Sequence, residues 1–275
     1  MTFAPRLPLV PTDMPQPDRY KLARRMGFWS LVARWEELVN EPWLAPLLDA
    51  ERAERQHRSL ERRLAQAHLG PFKPMADFEW DWPTRLDRAL LDDLFTLQFV
   101  RESINALVIG GNGLGKTMIG LNLAHQAILQ GFTVVFTTAS DMLNDLAAQE
   151  GVFSFRRRLA RYVRPQLLVI DEVGSLSYNN RHADLLFEVV TQRYQKRAIV
   201  LTANKPFAQW SEIFPNAACV VTLIDRLVHR AEILTLEGES FRLKETNELA
   251  ARRAAQRAQA KPAKGAKLRL PLAVP

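Results

Sequence analysis

A glycine-rich segment that ends in a lysine and a hydroxyl residue carries the first recognisable chemistry of this 275-residue sequence. Residues 110–117 read GGNGLGKT and fit G-x-x-x-x-G-K-[ST] at every fixed position. Glycines let successive backbone N–H groups point at an anion, and a following helix adds its positive end. Lys116 would then reach the β and γ phosphates of a nucleotide, while the Thr117 hydroxyl would ligate Mg²⁺.

The neighbouring segments decide between a phosphate loop and a plain glycine-rich turn. Ala106–Ile109 is a short apolar run typical of a buried strand, and residues 116–129 have the spacing of a helix. A loop between a strand and a helix is the position that phosphate binding requires. The predicted ATP-binding residues are the loop and the residue after it: Gly110, Gly111, Asn112, Gly113, Leu114, Gly115, Lys116, Thr117 and Met118.

Two acidic residues end the apolar run LLVIDE. At the carboxyl end of a central strand, Asp171 would hold Mg²⁺ through its water shell, and Glu172 would polarise the water that attacks the γ-phosphate. This pairing indicates hydrolysis, because a small-molecule P-loop kinase uses a nucleophile that belongs to its substrate. The alternative is an acidic strand end that faces solvent.

A neutral amide follows the next apolar run, IVLTAN. An asparagine before Lys205-Pro206 is, taken alone, more often a turn former. As the third polar group after a strand, Asn204 is predicted to orient the attacking water without competing for the metal, and is therefore counted with Lys116 and Glu172 as catalytic.

Apolar runs of strand length alternate with helical patterns through the central part of the chain. Such alternation indicates an α/β fold with a parallel sheet covered by helices on both faces. The first residues of the chain are rich in proline, and the residues that follow them have helical spacing; these two segments precede the α/β core. The predicted organisation comprises a disordered N-terminus (1–18), a helical module (19–76), the α/β core (77–247) and a basic disordered tail (248–275).

From about residue 26 to residue 244 the sequence resembles the IstB-like ATPases, helper proteins of bacterial transposition within the AAA+ class and relatives of the DnaC helicase loaders. The resemblance is carried by TRLDRALLDDLFTLQFV, the phosphate loop, LLVIDEVGSLS, LLFEVVTQRYQKRAIVLTANKPFAQW and LIDRLVHRAEILTLEGESFRLK. Two positions depart from it, since Met118 stands where many relatives have histidine and Ala203 replaces the more usual serine.

The resemblance implies a P-loop NTPase core of AAA+ type that uses ATP and Mg²⁺ and works as a homo-oligomer. In such oligomers an arginine of one subunit reaches the γ-phosphate held by its neighbour. The DRL element of the family falls on residues 225–227, so Arg226 is the implied finger, although a local ion pair with Asp225 is the alternative. Arg242 stands where a sensor-type arginine is expected.

One further segment, FSFRRRLARYVR, predicts a helix with an apolar stripe and an arginine row on the opposite face. Three arginines aligned in this way suit contacts with a phosphate backbone, and a solvated face is the alternative. The predicted DNA-contacting residues are Arg157, Arg161 and Arg164.

Composition adds a few limits. The formal net charge is +7, and the segment 249–275 carries positive charges without an acid, so the excess lies in a tail. A single cysteine, Cys219, excludes an intrachain disulfide, and the histidines lack ligand spacing. The apolar runs are far shorter than the roughly 20 residues of a membrane span, so we expect no membrane partner and a cytoplasmic protein.

The resemblance to the IstB-like ATPases implies an ATP-binding and ATP-hydrolysing helper of transposition. It would assemble on DNA, mainly double-stranded and largely independent of sequence, and would regulate a cognate transposase. A DnaC-like loader of a replicative helicase is the alternative.

Overall fold

The computed structural model of the chain describes residues 16–174, 178–214 and 217–259. They form two compact units that divide between Ala65 and Gln66. The first unit is helical, with α1 (Gln16–Met26), α2 (Trp29–Ala33), α3 (Trp35–Leu38) and most of α4 (Leu44–Ala67). Its small core consists of Leu22, Ala23, Leu44 and Leu48. The predicted N-terminal helices are therefore present.

A five-stranded parallel sheet forms the centre of the second unit. Its strands are β1 (Asn105–Gly110), β2 (Val134–Thr138), β3 (Leu167–Val173), β4 (Ala198–Ala203) and β5 (Ala231–Leu236). They lie in the order β2-β3-β4-β1-β5, so the ends of β3 and β4 lie beside the end of β1. Every residue of β4 is buried, as expected for a strand covered on both faces.

Helices follow the strands and cover the sheet, which confirms the predicted α/β fold. Their bounds are α5 (Arg88–Thr96), α6 (Gln98–Arg101), α7 (Lys116–Leu129), α8 (Ala139–Ala147), α9 (Val152–Val163), α10 (Asn180–Arg193), α11 (Trp210–Ile213), α12 (Ala217–Val228) and α13 (Phe241–Gln259), with short 3-10 helices at Met75–Asp77 and Phe207–Gln209. None of the helices in the described ranges is both long and apolar enough to cross a bilayer.

The boundaries of several elements differ from the sequence prediction. The compact units divide before the predicted boundary at residue 76, because residues 73 and 75 hydrogen-bond to Asn122 of α7. Helix α13 continues to Gln259, well beyond residue 248, since its sequence is rich in alanine, arginine and glutamine, which are strong helix formers. Helix α1 likewise begins at Gln16, inside the predicted N-terminal tail; residues 1–15 and 260–275 lie outside the described residues.

Leu97 separates α5 from α6. This residue has a φ of 62° and its backbone N–H donates to the carbonyl of Leu94, which ends α5. Its side chain is fully buried. Burial of the leucine compensates for a backbone conformation that non-glycine residues rarely adopt.

Candidate functional site

The loop between β1 and α7 has the conformation of an anion cradle. Gly113 and Gly115 have φ values of 77° and 89°, which only glycine adopts without strain. A Cβ on Gly115 would also lie 2.6 Å from the Phe78 ring. The loop ends at Lys116, the first residue of α7, whose Nζ donates to the carbonyl of Gly111 at 2.6 Å.

Lys116 is a largely buried cation that lies between charges of both signs. Only 8% of the residue is exposed. Burial lowers the pKa of Lys116, Asp171 acts in the opposite direction, Arg242 lowers the pKa further and Glu172 raises it. A nearby anion favours the charged form of a desolvated ammonium group. The position therefore suits a group that contacts phosphate oxygens.

Asp171 lies beside the start of α7 and is held by two hydroxyl groups. Thr117 Oγ1 donates to Asp171 Oδ1 at 3.2 Å, and Thr202 Oγ1 donates to the same oxygen at 2.5 Å. The carboxylate is 3% exposed. Hydroxyl and carboxylate oxygens beside a phosphate loop are the ligands that Mg²⁺ takes in nucleotide sites. The residues present therefore fit the ion.

Glu172 projects away from Asp171 because the backbone turns between them. Its φ is 61°, and the pairing of β3 with β4 shifts register between Ile170 and Val173. Such bulges redirect a side chain at the edge of a site. The Glu172 backbone N–H donates to Thr202 Oγ1 at 3.0 Å, while its exposed side chain lines the pocket above the loop.

Asn204 brings an unsatisfied acceptor to the same pocket. Its Oδ1 is buried and accepts no hydrogen bond from the residues the structure describes. A buried acceptor without a partner costs about 1–3 kcal/mol. The amide can therefore hold a donor such as a water molecule between Glu172 and the phosphate loop, and both side chains line one pocket.

The pocket has a volume of about 450 Å³ and an aromatic wall that the sequence analysis did not predict. Phe72, Phe78 and Trp82, from the segment before α5, line it together with Phe241 of α13. The Trp82 indole donates to the carbonyl of Glu239 at 2.7 Å, which joins this segment to the approach to α13. The density of aromatic residues in FKPMADFEWDWP was the available signal.

The two arginines implied by the resemblance lie in different places. Arg242 lines the pocket with Lys116. Arg226 of α12 does not; its guanidinium donates to the Thr191 hydroxyl and lies 4.7 Å from the centre of the Phe187 ring. The chain therefore brings Arg242, but not Arg226, to its own pocket.

Thr202 is a site residue that the sequence analysis missed. It is 1% exposed, donates to Asp171 and accepts from the Glu172 backbone. One hydroxyl thus fixes both acidic residues relative to β4. A threonine two residues before Asn204 in a buried strand was the only signal in the sequence.

Helix α9 lies outside the pocket and has the predicted two faces. Leu159 and Tyr162 are buried, and the Tyr162 hydroxyl donates to Asp145 at 2.6 Å. The arginines on its exposed face are Arg157, Arg161 and Arg164. The predicted packing is confirmed, whereas contact of these arginines with DNA stays a prediction.

The carboxyl end of α9 is fixed by a buried arginine that the sequence analysis also missed. Arg193 of α10 is fully buried, and its Nη1 donates to the carbonyls of Tyr162 and Pro165 at 2.8 and 2.9 Å. Burial lowers the pKa of Arg193 to about 9, which leaves it charged at neutral pH. Charged donors make strong hydrogen bonds, so α9 is held firmly at this end.

Comparison with known proteins gives a family and a set of relatives. The family model described as IstB-like ATP binding protein matches residues 21–249. A protein of Geobacillus stearothermophilus, named for ATP binding in insertion sequence IS5376, is 35% identical over 222 residues, which cover 79% of this chain and 88% of that protein. A Pseudomonas aeruginosa protein similarly named for insertion sequence IS21 is 33% identical over 210 residues, which cover 76% of this chain and 79% of that protein.

Solved structures with a similar arrangement include a DnaI protein and the DnaC helicase loader. The first has a TM-score of 0.49 at 15% identity and covers 62% of this chain and 90% of that chain. The second has a TM-score of 0.42 at 19% identity and covers 64% of this chain and 99% of that chain. Structural similarity at these TM-scores and identities indicates neither the function nor the partners of this chain.

Proposed function

The chain belongs to the family of IstB-like ATP-binding proteins, and from that premise we propose that it is an ATP-hydrolysing, DNA-binding helper of transposition. It oligomerises on target DNA and regulates a cognate transposase. Family membership, which the motifs predicted, is confirmed by the match over residues 21–249. The observation that carries the hydrolytic part of the proposal is the arrangement of Lys116, Glu172 and Asn204 at one pocket, with Asp171 bonded to Thr117 of the pocket lining.

In the proposed mechanism the loop N–H groups and Lys116 bind the phosphates of ATP. Mg²⁺, held by Thr117 and Asp171, would neutralise charge that develops on the phosphoryl oxygens. Glu172 accepts a proton from the attacking water, and Asn204 orients that water. Catalysis then depends on positioning and electrostatics, as is usual for phosphoryl transfer.

The aromatic wall gives the nucleoside a place in the same pocket. Phe72, Phe78 and Phe241 supply apolar surface beside the phosphate loop, and Arg242 supplies a cation beside Lys116. An apolar pocket with a few convergent polar groups is typical of nucleotide sites. We therefore propose that the base packs on the aromatic wall while Arg242 approaches the phosphates.

The proposed role in transposition is tested directly with the cognate transposase. A strand-transfer reaction should become more efficient when the chain and ATP are added together, and addition of the chain with ADP should have a smaller effect. If the chain instead binds a replicative helicase and leaves strand transfer unchanged, the loader function replaces the helper function.

Replacement of Thr202 by valine should lower ATP turnover about 10- to 100-fold while ATP affinity changes little. Valine keeps the shape of threonine but removes the hydroxyl that donates to Asp171 and accepts from the Glu172 backbone. The phosphates contact the loop and Lys116, which the substitution does not touch. Steady-state phosphate release and binding of a fluorescent ATP analogue measure the two quantities separately.

Thr202→Ser is the matched control, because it keeps the hydroxyl and loses only a methyl group. Turnover by this variant should return to within a few-fold of the wild type. Equal loss in the serine and valine variants would assign Thr202 a packing role alone, and an unchanged turnover in Thr202→Val would remove it from the site.

The proposed DNA contact rests on the exposed arginine face of α9. Replacement of Arg157, Arg161 and Arg164 by alanine should weaken duplex binding and flatten its salt dependence. Each lost phosphate contact should reduce the slope of log affinity against log salt by about 0.9. Fluorescence anisotropy with unrelated duplexes between about 50 and 200 mM salt gives the slope and its independence of sequence.

A second triple variant with the same loss of charge provides the control. Arg34, Arg55 and Arg58 each form an ion pair with a glutamate on their own helix or turn, so they are already neutralised. Their replacement by alanine should leave the slope close to that of the wild type. If both triple variants alter the slope equally, net charge and not the face of α9 governs binding.

A further inference from the structure

Phe153 is an aromatic side chain that the fold leaves in solvent. It is 89% exposed, the highest fraction among the large hydrophobic residues that the structure describes. It is the second residue of α9, whose first turn is fixed by a reciprocal pair of bonds. The Gly151 N–H donates to Ser154 Oγ at 3.2 Å, and that hydroxyl donates to the Gly151 carbonyl at 2.7 Å.

The position of Phe153 on α9 relates it to the arginine row. With about 3.6 residues per turn, residues four and eleven positions later lie on nearly the same side of a helix. These positions are Arg157 and Arg164, and Arg161 lies beside them. The exposed face therefore begins with an aromatic ring and continues for about three turns as a row of cations.

Nothing acidic interrupts this face. Residues 151–165 contain no aspartate or glutamate. Arg158, the one arginine of the helix that pairs with an acid among the described contacts, bonds to Asp145 at 3.3 Å on the side facing α8. The remaining cations are complementary to a polyanion. An aromatic ring among them suits a polyanionic partner that also offers apolar surface.

We propose that Phe153 is an apolar wedge that contacts base pairs in a groove of duplex DNA while the arginines along α9 bind the flanking phosphates. The inference rests on the proposed DNA binding and adds a contact of a different kind to it. Apolar side chains inserted between base steps unstack them and bend the duplex. A rigid helix suits this role, and α9 is held by its buried face and by the bonds of Arg193 at its end.

The wedge has a signature that phosphate contacts lack. An apolar contact releases no counterions, so Phe153→Ala should lower duplex affinity about tenfold at each salt concentration without changing the salt slope. The arginine triple variant should change the slope. Phe153→Trp keeps a ring and should retain affinity. Since Phe153 is exposed, none of these variants should alter the melting temperature.

A second readout reports the bases themselves. With a duplex that contains 2-aminopurine, saturating wild-type protein and Phe153→Trp should raise the fluorescence of the probe base, whereas saturating Phe153→Ala should not. Val152→Ala is the matched control, because Val152 is 65% exposed but lies about a third to a half of a turn away from the arginine row. It should behave as the wild type in both assays.

The outcomes separate the wedge from DNA binding as such. Unchanged affinity and fluorescence in Phe153→Ala, with a flattened slope in the arginine variant, would overturn the wedge and leave the arginine contacts standing. Absence of duplex binding by the wild type would overturn the proposed function and the wedge together. Altered sedimentation of Phe153→Ala in the absence of DNA would assign the ring to a contact between copies of the chain and overturn the wedge.

Discussion

Lys116→Ala should abolish ATP binding, whereas Glu172→Gln should bind ATP with Mg²⁺ as tightly as the wild type and lose hydrolysis. The two side chains line the same pocket but would act on different atoms. Lys116 supplies charge to phosphates that are present before and during the reaction, so its loss removes binding. Glu172 acts only on water, and its amide analogue cannot accept the proton.

The expected loss of turnover in Glu172→Gln is about 10²- to 10⁴-fold, the contribution of a positioned general base. A fluorescent ATP analogue measures affinity, and phosphate release measures turnover. Glu102→Gln is a matched control, because Glu102 is an exposed glutamate outside the pocket whose carboxylate accepts from Gln98 at 2.6 Å. Turnover by Glu172→Gln equal to that of the wild type would remove Glu172 from the mechanism.

Much of the candidate site could be predicted because parallel strands bring distant residues to one edge of a sheet. The phosphate loop, the acidic pair and Asn204 each follow an apolar run, and such runs became β1, β3 and β4. The pairing of these neighbouring strands brings the three segments together. Local pattern and a general rule of sheet topology were sufficient for this part.

The position of the aromatic wall at the pocket could not be predicted, because it depends on a contact between segments that are distant in sequence. Asn122 of α7 accepts a hydrogen bond from the Met75 backbone and donates one to the Lys73 carbonyl. These bonds hold the segment before α5 against α7. Periodicity describes each element by itself. It does not indicate which helix a linker will cross.

Backbone conformations that are unusual for their residue type could not be predicted from the sequence either. Leu97 and Glu172 have positive φ values, although neither is a glycine. The first separates α5 from α6, and the second turns a carboxylate towards the pocket. In both, tertiary contacts compensate for local strain, and strain of this kind is concentrated at functional sites and element ends.

Arg226→Ala should bind nucleotide normally and hydrolyse it poorly, because Arg226 would complete the pocket of a neighbouring copy. In its own chain the guanidinium lies on α10, bonded to Thr191 and beside the Phe187 ring, and does not line the pocket. An arginine supplied by a partner contributes about 10³- to 10⁵-fold to turnover in related phosphoryl transfers. Arg226→Lys keeps the positive charge but lacks the planar guanidinium group, so its ATP turnover should also be reduced.

If the nucleotide bridges two copies, ATP should favour the oligomer, since its γ-phosphate supplies charge that ADP lacks at the contact. Sedimentation of the wild type with ATP and duplex DNA should show a large complex that shrinks when ADP replaces ATP. The same experiment with Arg226→Ala should show a smaller effect of ATP. A complex of the same size with ATP and with ADP would show that assembly does not depend on the γ-phosphate.

A mixture of Arg226→Ala with Lys116→Ala decides whether the arginine acts between copies. Each variant alone should hydrolyse ATP poorly or not at all, but a mixed interface can pair the intact pocket of the first with the intact arginine of the second, so turnover should partly return. The control replaces Lys116→Ala by the double variant Lys116→Ala/Arg226→Ala, which offers no intact arginine and should restore nothing. If the first mixture stays inactive although mixed oligomers form, Arg226 acts within its own chain or not at all.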